Sequence, residues 1–296
     1  MSITLTQLRS FLAVVRNGSV TAAADELVVT QPSVSAAITA LSQEVGAPLL
    51  EREGRGVRPT AAGHAFVPYA TDVMGLLEKG RRAAQEAAAV TERSLRIAAV
   101  TTAAESFVPA LMRAFTLARP DARLALSVGN RGQVIDAVLT HAADVAVGGR
   151  PPSDPRIEAR AFRPNELVLV SAPDDPLAGG GPVAPAQLGA RTWLLREPDS
   201  GTRSANEDFL SDFGLEGETL TVGSNGAIRQ AARLGLGISF LSRDAVASDL
   251  DAGLLGVIAV DPGPGARDWH VMRSAVGPSR ALVDEFVVFV LESAEL

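Results

Sequence analysis

The sequence predicts an α/β protein with an all-α, winged amino-terminal end: three short helices, a two-stranded wing, one long helix, then a body of two doubly wound lobes. Three observations carry this. Thr4, Ser19 and Thr30 each precede apolar residues at helical spacing, as helix caps do. An unbroken helical pattern runs from Thr60 to about Ala89. Beyond Arg93, short apolar runs alternate with helical stretches, the texture of parallel α/β units.

A chain of 296 residues exceeds the size at which one core keeps growing, so two or three domains are expected. Hydrophobic residues make up 47% of it, enough for a sizeable core. Cysteine is absent, which rules out disulfides and thiolate metal ligands and fits a reducing interior. No run resembles a signal peptide, and no apolar stretch approaches the ~18 to 20 residues a spanning helix needs. A soluble, cytoplasmic protein with no membrane partner is expected. The net charge of −7 excludes a diffuse nucleic-acid binder, because phosphate contacts demand a basic footprint. Residues 1–90 nonetheless hold eight Lys/Arg and eight Asp/Glu, so the deficit lies wholly in the remainder. Any DNA-facing surface is therefore local and amino-terminal.

Thr4 with Gln7 forms a capping box, and Leu5, Leu8, Leu12 and Val15 follow at helical spacing to Asn17-Gly18. Ser19 caps a second helix with Val20, Ala23, Ala24 and Leu27 on its apolar face. Thr30 caps a third, with Pro32 in the first turn, where its missing donor costs little. Val34, Ile38, Leu41 and Val45 give that helix one buried stripe, opposite Ser33, Ser35, Ala36, Thr39 and Gln43. A face of small polar side chains lets a helix approach the floor of a major groove and hydrogen-bond base edges. Leu49 to Thr60 reads as two strands around Gly54-Arg55-Gly56, a wing whose Arg52, Arg55 and Arg58 supply phosphate or minor-groove contacts. Glu51 and Glu53 dilute that charge, which leaves a merely solvated hairpin as the alternative. In the long helix, Phe66, Val73, Gly80 and Ala87 recur every seven residues, with Tyr69, Leu76, Ala83 and Val90 offset by three. That is a coiled-coil seam, with an intramolecular amphipathic helix as the alternative.

Leu5-x-x-Leu8, Ser19-x-x-x-Ala23-Ala24-x-x-Leu27, Thr30-Gln31-Pro32-Ser33-x-Ser35, Leu49-Leu50-x-Arg52 and Pro59-Thr60-x-x-Gly63 together resemble the LysR-type transcriptional regulators across the whole amino-terminal domain. The resemblance implies that Gln31, Pro32, Ser33 and Ser35, with Thr39 on the same face, approach the operator while wing arginines hold flanking backbone. Many members carry Arg or Lys in this helix; here none lies between Gln31 and Val45, so readout leans on hydroxyls, methyl contacts and DNA shape. The long helix resembles the family's linker, which implies a homodimer and, beyond it, a homotetramer, with RNA polymerase as a further partner.

In the body, SLRIAAV, RLALSVGN, DVAVGG, ELVLVSA, TWLLRE, ETLTVG, GISFL and DWHVMRS read as strands. Helices are expected near Ala104 to Leu117, Gly132 to Leu139, Gly201 to Phe213, Ile228 to Leu234 and Ala281 to Glu292. The layout is similar to the LysR effector domain, itself like periplasmic solute-binding proteins. The expected division is residues 1–60 for DNA binding, 61–90 for the linker and 91–296 for the effector. Within the last, lobe one comprises about 91–163 and 268–296, and lobe two about 164–267.

Three strand-to-helix turns offer backbone donors and hydroxyls at the positive end of a helix: Thr101-Thr102, Asp199 to Arg203 with Ser200, and Gly223-Ser224-Asn225. Ordinary capping is the alternative for each. TTAAESFVPALMRAF, LSVGNRGQVIDAVL, DVAVGGRPP and LREPDSGTR resemble the branch that controls carbon-fixation (RuBisCO) operons, often called CbbR. This implies an anionic metabolite effector, held by Thr101, Thr102, Asn130, Arg150, Thr202 and Arg203. Asp199 stands where glycine is common. His64, His141 and His270 are scattered, no Gly-x-Ser-x-Gly elbow or Walker loop occurs, and neither metal, cofactor nor enzymatic activity is expected. The competing reading is a small-molecule-binding or catalytic α/β protein whose amino-terminal helices serve only assembly.

Overall fold

The computed structural model of the protein describes residues 2–54, 56–88 and 93–293. It divides into two compact units, residues 1–90 and 91–296.

In the first unit, α1 (Leu5–Asn17), α2 (Val20–Leu27) and α3 (Gln31–Val45) follow the expected caps: Thr4, Ser19 and Thr30 each accept from a backbone N–H three residues on. Leu8, Phe11, Leu41 and Leu49 form one cluster, and Val14, Ala23, Ala24 and Val34 a second between α1, α2 and α3. β1 (Leu50–Glu53) pairs antiparallel with β2 (Gly56–Pro59), which is the wing. α4 (Ala61–Ala87) starts at the Thr60 cap. Gly63 is needed there, since a Cβ would lie 2.0 Å from the Leu49 carbonyl. Along α4 the residues of the seven-residue repeat do not all face one way. Phe66 turns inward against Phe11, with ring centroids 5.7 Å apart, and the exposed apolar stripe is Tyr69, Val73 and Leu77. Val90, the last seam position, lies outside the described residues.

The second unit opens with β3 (Arg93–Val100), α5 (Thr101–Glu105), α6 (Val108–Ala118), β4 (Ala122–Gly129), α7 (Arg131–Leu139), β5 (Val145–Gly148) and β6 (Ile157–Pro164). The chain then crosses to β7 (Leu167–Ser171), β8 (Trp193–Leu195), α8 (Gly201–Asp212), β9 (Thr219–Thr221), α9 (Asn225–Arg233), β10 (Ser239–Ser242), α10 (Arg243–Asp251) and β11 (Gly256–Ile258). It returns as β12 (Asp268–Ser274) and ends in α11 (Ala281–Glu292). Lobe one is a sheet of order β4-β3-β5-β12-β6, with β3 parallel to β4 and β5 and with β12 antiparallel to its neighbours. Leu111, Phe115, Phe286 and Val290 cover one face, and Val134 and Val138 the other. Lobe two carries β10-β7-β11 and the parallel pair β8-β9 around Trp193, Phe209 and Phe240. All pairings of β7 are antiparallel, unlike the parallel lobe expected. β7 and β10 are buried along almost their whole length, and such runs read alike in either direction.

The expected helix from Ala104 is two, α5 and α6, and β6, α10 and β11 were not anticipated. β6 buries none of its eight residues and α10 buries only Val246, so neither carries the dense apolar run by which the other elements were read. The two crossover segments are tied where Asn165 N donates to Arg267 O at 2.9 Å. Asp244 at the start of α10 accepts from Trp269 Nε1 at 2.9 Å and pairs with Arg163 at 2.8 Å, joining the lobes beside that crossing.

Candidate functional site

A cavity of about 280 Å³ lies between the lobes, at the carboxyl ends of the strands where an α/β fold binds ligands. Thr101, Thr102, Asn130, Arg150, Ser200 and Thr202 all line it, so six of the eight sequence-derived candidates converge.

The helix ends meeting the cavity are not equivalent. Asn130 caps α7: its Oδ1 accepts from Gln133 N and its own N–H donates to Gln133 Oε1. Ser224 caps α9 and does not line the cavity. α8 begins with Ser200, 4% exposed, whose side chain makes no cap bond, and Ser200, Gly201 and Thr202 line the wall. The first N–H groups of α8 thus lack a side-chain acceptor, which leaves positive potential directed at the cavity.

Arg203 and Asn225 require correction. Arg203 turns away: Nη1 donates to the Arg196 carbonyl at 2.9 Å and Nε to Glu207 at 2.7 Å, one helical turn on. It does not line the cavity. Asn225, 1% exposed, is consumed as a bridge between lobes. Its Nδ2 donates to Thr102 Oγ1 at 2.7 Å, and its Oδ1 accepts from Arg196 Nη1 at 2.5 Å. Asp199 adopts φ 64°, the left-handed conformation that favours glycine, and its carbonyl accepts from Gly132 N at 3.3 Å across the lobes. A Cβ on Gly132 would stand 3.2 Å from that of Asp199, a tight contact.

The sequence reading missed Arg131, Arg196 and Arg267, which also line the cavity. Arg196 is held by a fork to Glu197, at 2.7 and 2.8 Å. Burial acts to raise the Glu197 carboxyl, and the Arg196 hydrogen bonds overcome it and hold it below its ordinary value. Arg131 Nε donates to the Arg150 carbonyl at 3.0 Å. Among the described residues neither Arg131 nor Arg150 has a carboxylate partner. Ser242 and Asn165 line the same wall, each with a buried side-chain oxygen that has no partner. The position of Arg196 at the end of TWLLRE was a usable signal, because ligands gather at strand carboxyl ends.

In the first unit, Gln31, Pro32, Ser33, Ser35 and Thr39 are all exposed on α3, opposite buried Val34 and Leu41. Thr30 Oγ1 and Ser33 Oγ share a hydrogen bond of 2.8 Å, and Thr39 Oγ1 donates to the Ser35 carbonyl at 2.9 Å. The wing arginines differ. Arg58 faces Glu51 across the ladder and is paired with it at 2.8 Å and with Glu53 at 3.1 Å. Those glutamates raise its pKa and balance its charge in exposed pairs, which are weak. Arg52, on the other face of β1, is exposed and has no carboxylate partner among the described residues; Arg55 lies outside them.

Together, a wing beside a capped three-helix unit and a cationic cavity between two α/β lobes define a ligand-responsive DNA-binding regulator. The family model "Bacterial regulatory helix-turn-helix protein, lysR family" matches residues 5–64, and "LysR substrate binding domain" matches residues 88–295. The chain belongs to the LysR family of transcriptional regulators. It is 35% identical to the RuBisCO operon transcriptional regulator of Allochromatium vinosum, over 97% of this chain and 96% of that one. It is also 35% identical to the HTH-type transcriptional regulator CbbR of Rhodospirillum rubrum, over 98% and 96% of the two chains. These relatives are named as regulators, not as enzymes. The CcmR regulatory domain of Synechocystis PCC6803, solved in complex with 2-PG, superposes with a TM-score of 0.65 at 28% identity, covering 68% of this chain and 97% of that one. Among the described residues no helix is long and apolar enough to cross a membrane.

Proposed function

We propose that the protein regulates a carbon-fixation operon in the cytoplasm, reading operator DNA through α3 and the wing and sensing a small anionic metabolite in the interlobe cavity. The observation that carries the ligand reading is the pair Arg131 and Arg150, which line the cavity beside the α8 amino terminus without a carboxylate partner among the described residues. Two such cations and a helix end favour a ligand with more than one negative charge. The 2-PG complex of the CcmR domain and the names of the relatives support a phosphorylated ligand and a RuBisCO-linked target.

On this reading Gln31, Pro32, Ser33, Ser35 and Thr39 face base edges, while Arg52 and Arg55 hold phosphate. Each head makes few phosphate contacts, so operator affinity depends on linked copies. The exposed stripe Tyr69, Val73 and Leu77 on α4 suits a homodimer seam, which a homotetramer extends, and RNA polymerase is the downstream partner. The ligand acts through its differential affinity for two settings of the lobes.

The test is a thermal-shift screen of sugar phosphates, phosphorylated carboxylates, organic acids and sulfur oxyanions, followed by footprinting on the promoter beside the gene. One anion that raises the melting temperature by mass action and alters the footprint is expected. A footprint and bend angle unchanged by every anion would refute the sensing role, and no operator binding at modest salt would refute the whole.

A further inference from the structure

The interlobe cavity has a neighbour. A second recess, about 760 Å³, adjoins it, and the two share Arg150, Ala205, Asp208 and Arg267 as a common wall. Gly201, Ala205 and Asp208 lie four and three residues apart on α8, so one face of that helix presents its free amino end, a small residue and then a carboxylate. Asp208 is the only acidic side chain in the cavity wall among the described residues. It pairs with Arg267 at 2.8 Å, with side-chain exposures of 53% and 20%. Arg267 is fixed from behind, because its carbonyl accepts from Asn165 N in the other crossover segment.

We propose that Arg267 is a ligand-binding cation which Asp208 holds until a second anionic group of the ligand takes its place. This deepens the reading of the cavity as an anion site. A half-exposed ion pair is weak, whereas a bidentate contact from arginine to a phosphate or carboxylate inside a cavity is stronger, so the exchange runs toward the ligand. The site then discriminates by charge distribution. A ligand with a single anionic group is held at the α8 end and leaves the Arg267–Asp208 pair in place. A ligand with two separated anionic groups, such as a phosphorylated carboxylate, reaches Arg267 as well. Arg267 therefore selects the second class, and Asp208 lowers the affinity of that class alone.

The experiment titrates the full-length protein by calorimetry with 2-phosphoglycolate, a phosphorylated carboxylate, and with inorganic phosphate. Asp208→Asn should tighten 2-phosphoglycolate about three- to five-fold, through release of the competing pair, and leave inorganic phosphate within about two-fold. Arg267→Ala should weaken 2-phosphoglycolate by about ten-fold or more, with Arg267→Lys intermediate. The lysine variant keeps the charge and guards against an effect on folding. In the Arg267→Ala background the gain from Asp208→Asn should shrink. A gain that is equal for both ligands, or undiminished without Arg267, would mean that Asp208 only repels, and the exchange would be wrong. Binding by the parent protein with no tightening in Asp208→Asn would overturn the exchange alone. Absence of binding by both ligands to the parent and to Asp208→Asn would overturn the anion site and the exchange together.

Discussion

Asn225→Ala tests the interlobe bridge most directly. Asn225 is 1% exposed and makes two side-chain bonds, one from its Nδ2 to Thr102 Oγ1 at 2.7 Å and one from Arg196 Nη1 to its Oδ1 at 2.5 Å. A neutral hydrogen bond contributes about 0.5–1.5 kcal/mol and one to a charged group about 1.5–3, so the substitution should cost about 2–4 kcal/mol. The loss falls on the second unit alone. Both tryptophans, Trp193 and Trp269, lie there, one buried in each lobe, so their fluorescence during urea unfolding reports that unit without interference from the first. Thr102→Val removes only the neutral bond and should cost about 0.5–1.5 kcal/mol. The two changes should be non-additive in a double-mutant cycle, since the residues are the two ends of one hydrogen bond. A loss below about 1 kcal/mol for Asn225→Ala, or strict additivity with Thr102→Val, would show that the bridge does not couple the lobes.

Asp144, with its side chain 2% exposed, sits between Arg96 at 3.0 Å and Arg280 at 3.2 Å, so Asp144→Asn should cost about 3–5 kcal/mol in the same urea assay. Burial acts to raise the Asp144 carboxyl, but hydrogen bonds from Arg96 and both arginine charges hold it below its ordinary value. Its contribution is therefore complete above the ordinary carboxylate range and is lost as pH falls through the lowered value, so parent and variant should converge on acidification. Arg150→Ala should weaken an anionic ligand by about 1.5–3 kcal/mol while Arg203→Ala, directed at Glu207, changes it by less than about 0.5; equal losses by calorimetry would reverse this assignment. Ser33→Ala with Ser35→Ala should lower operator affinity more than random-DNA affinity in fluorescence anisotropy, and parallel losses would remove both from base readout. Leu77→Glu should shift the sedimentation equilibrium toward monomer, and an unchanged mass would reject the α4 seam.

The amino-terminal unit was legible because its signals are local. Thr4, Ser19 and Thr30 each announce a helix start within three residues, and Gly54 to Gly56 marks the wing turn. The body was legible as strands and helices where apolar runs are dense, as in Val145–Gly148, and illegible where they are thin. Arg243–Asp251 carries one buried residue in nine, so nothing in RDAVASDLD separates a helix from a polar loop. That omission hid the wall residue Ser242, at the foot of α10. Side-chain direction was the harder limit. LREPDSGTR holds two arginines, and only the placement of Glu197 and Glu207 decides that Arg196 faces the cavity and Arg203 does not. Arg58 was decipherable in principle, because pairing Glu53 with Gly56 sets it opposite Glu51.

The same electrostatic rule operates at both candidate surfaces. Lobe one pairs many of its arginines with carboxylates: Arg93 and Arg119 with Glu285, Arg156 with Asp154, and Arg273 with Glu158 and Asp284. Positive potential in the cavity therefore does not require an excess of arginine, which residues 91–296 lack, with 19 Lys/Arg against 26 Asp/Glu. It requires that carboxylates be kept away from Arg131 and Arg150, and the wall admits only Asp208. On the wing, Glu51 and Glu53 cancel Arg58 on one face while Arg52 stands on the other. A pair of opposite charges close together contributes little beyond a Debye length, so the far field of this acidic chain says little about either surface. Function on this scaffold follows from which cations are left without an anion, and that depends on β-register and helix phase more than on composition.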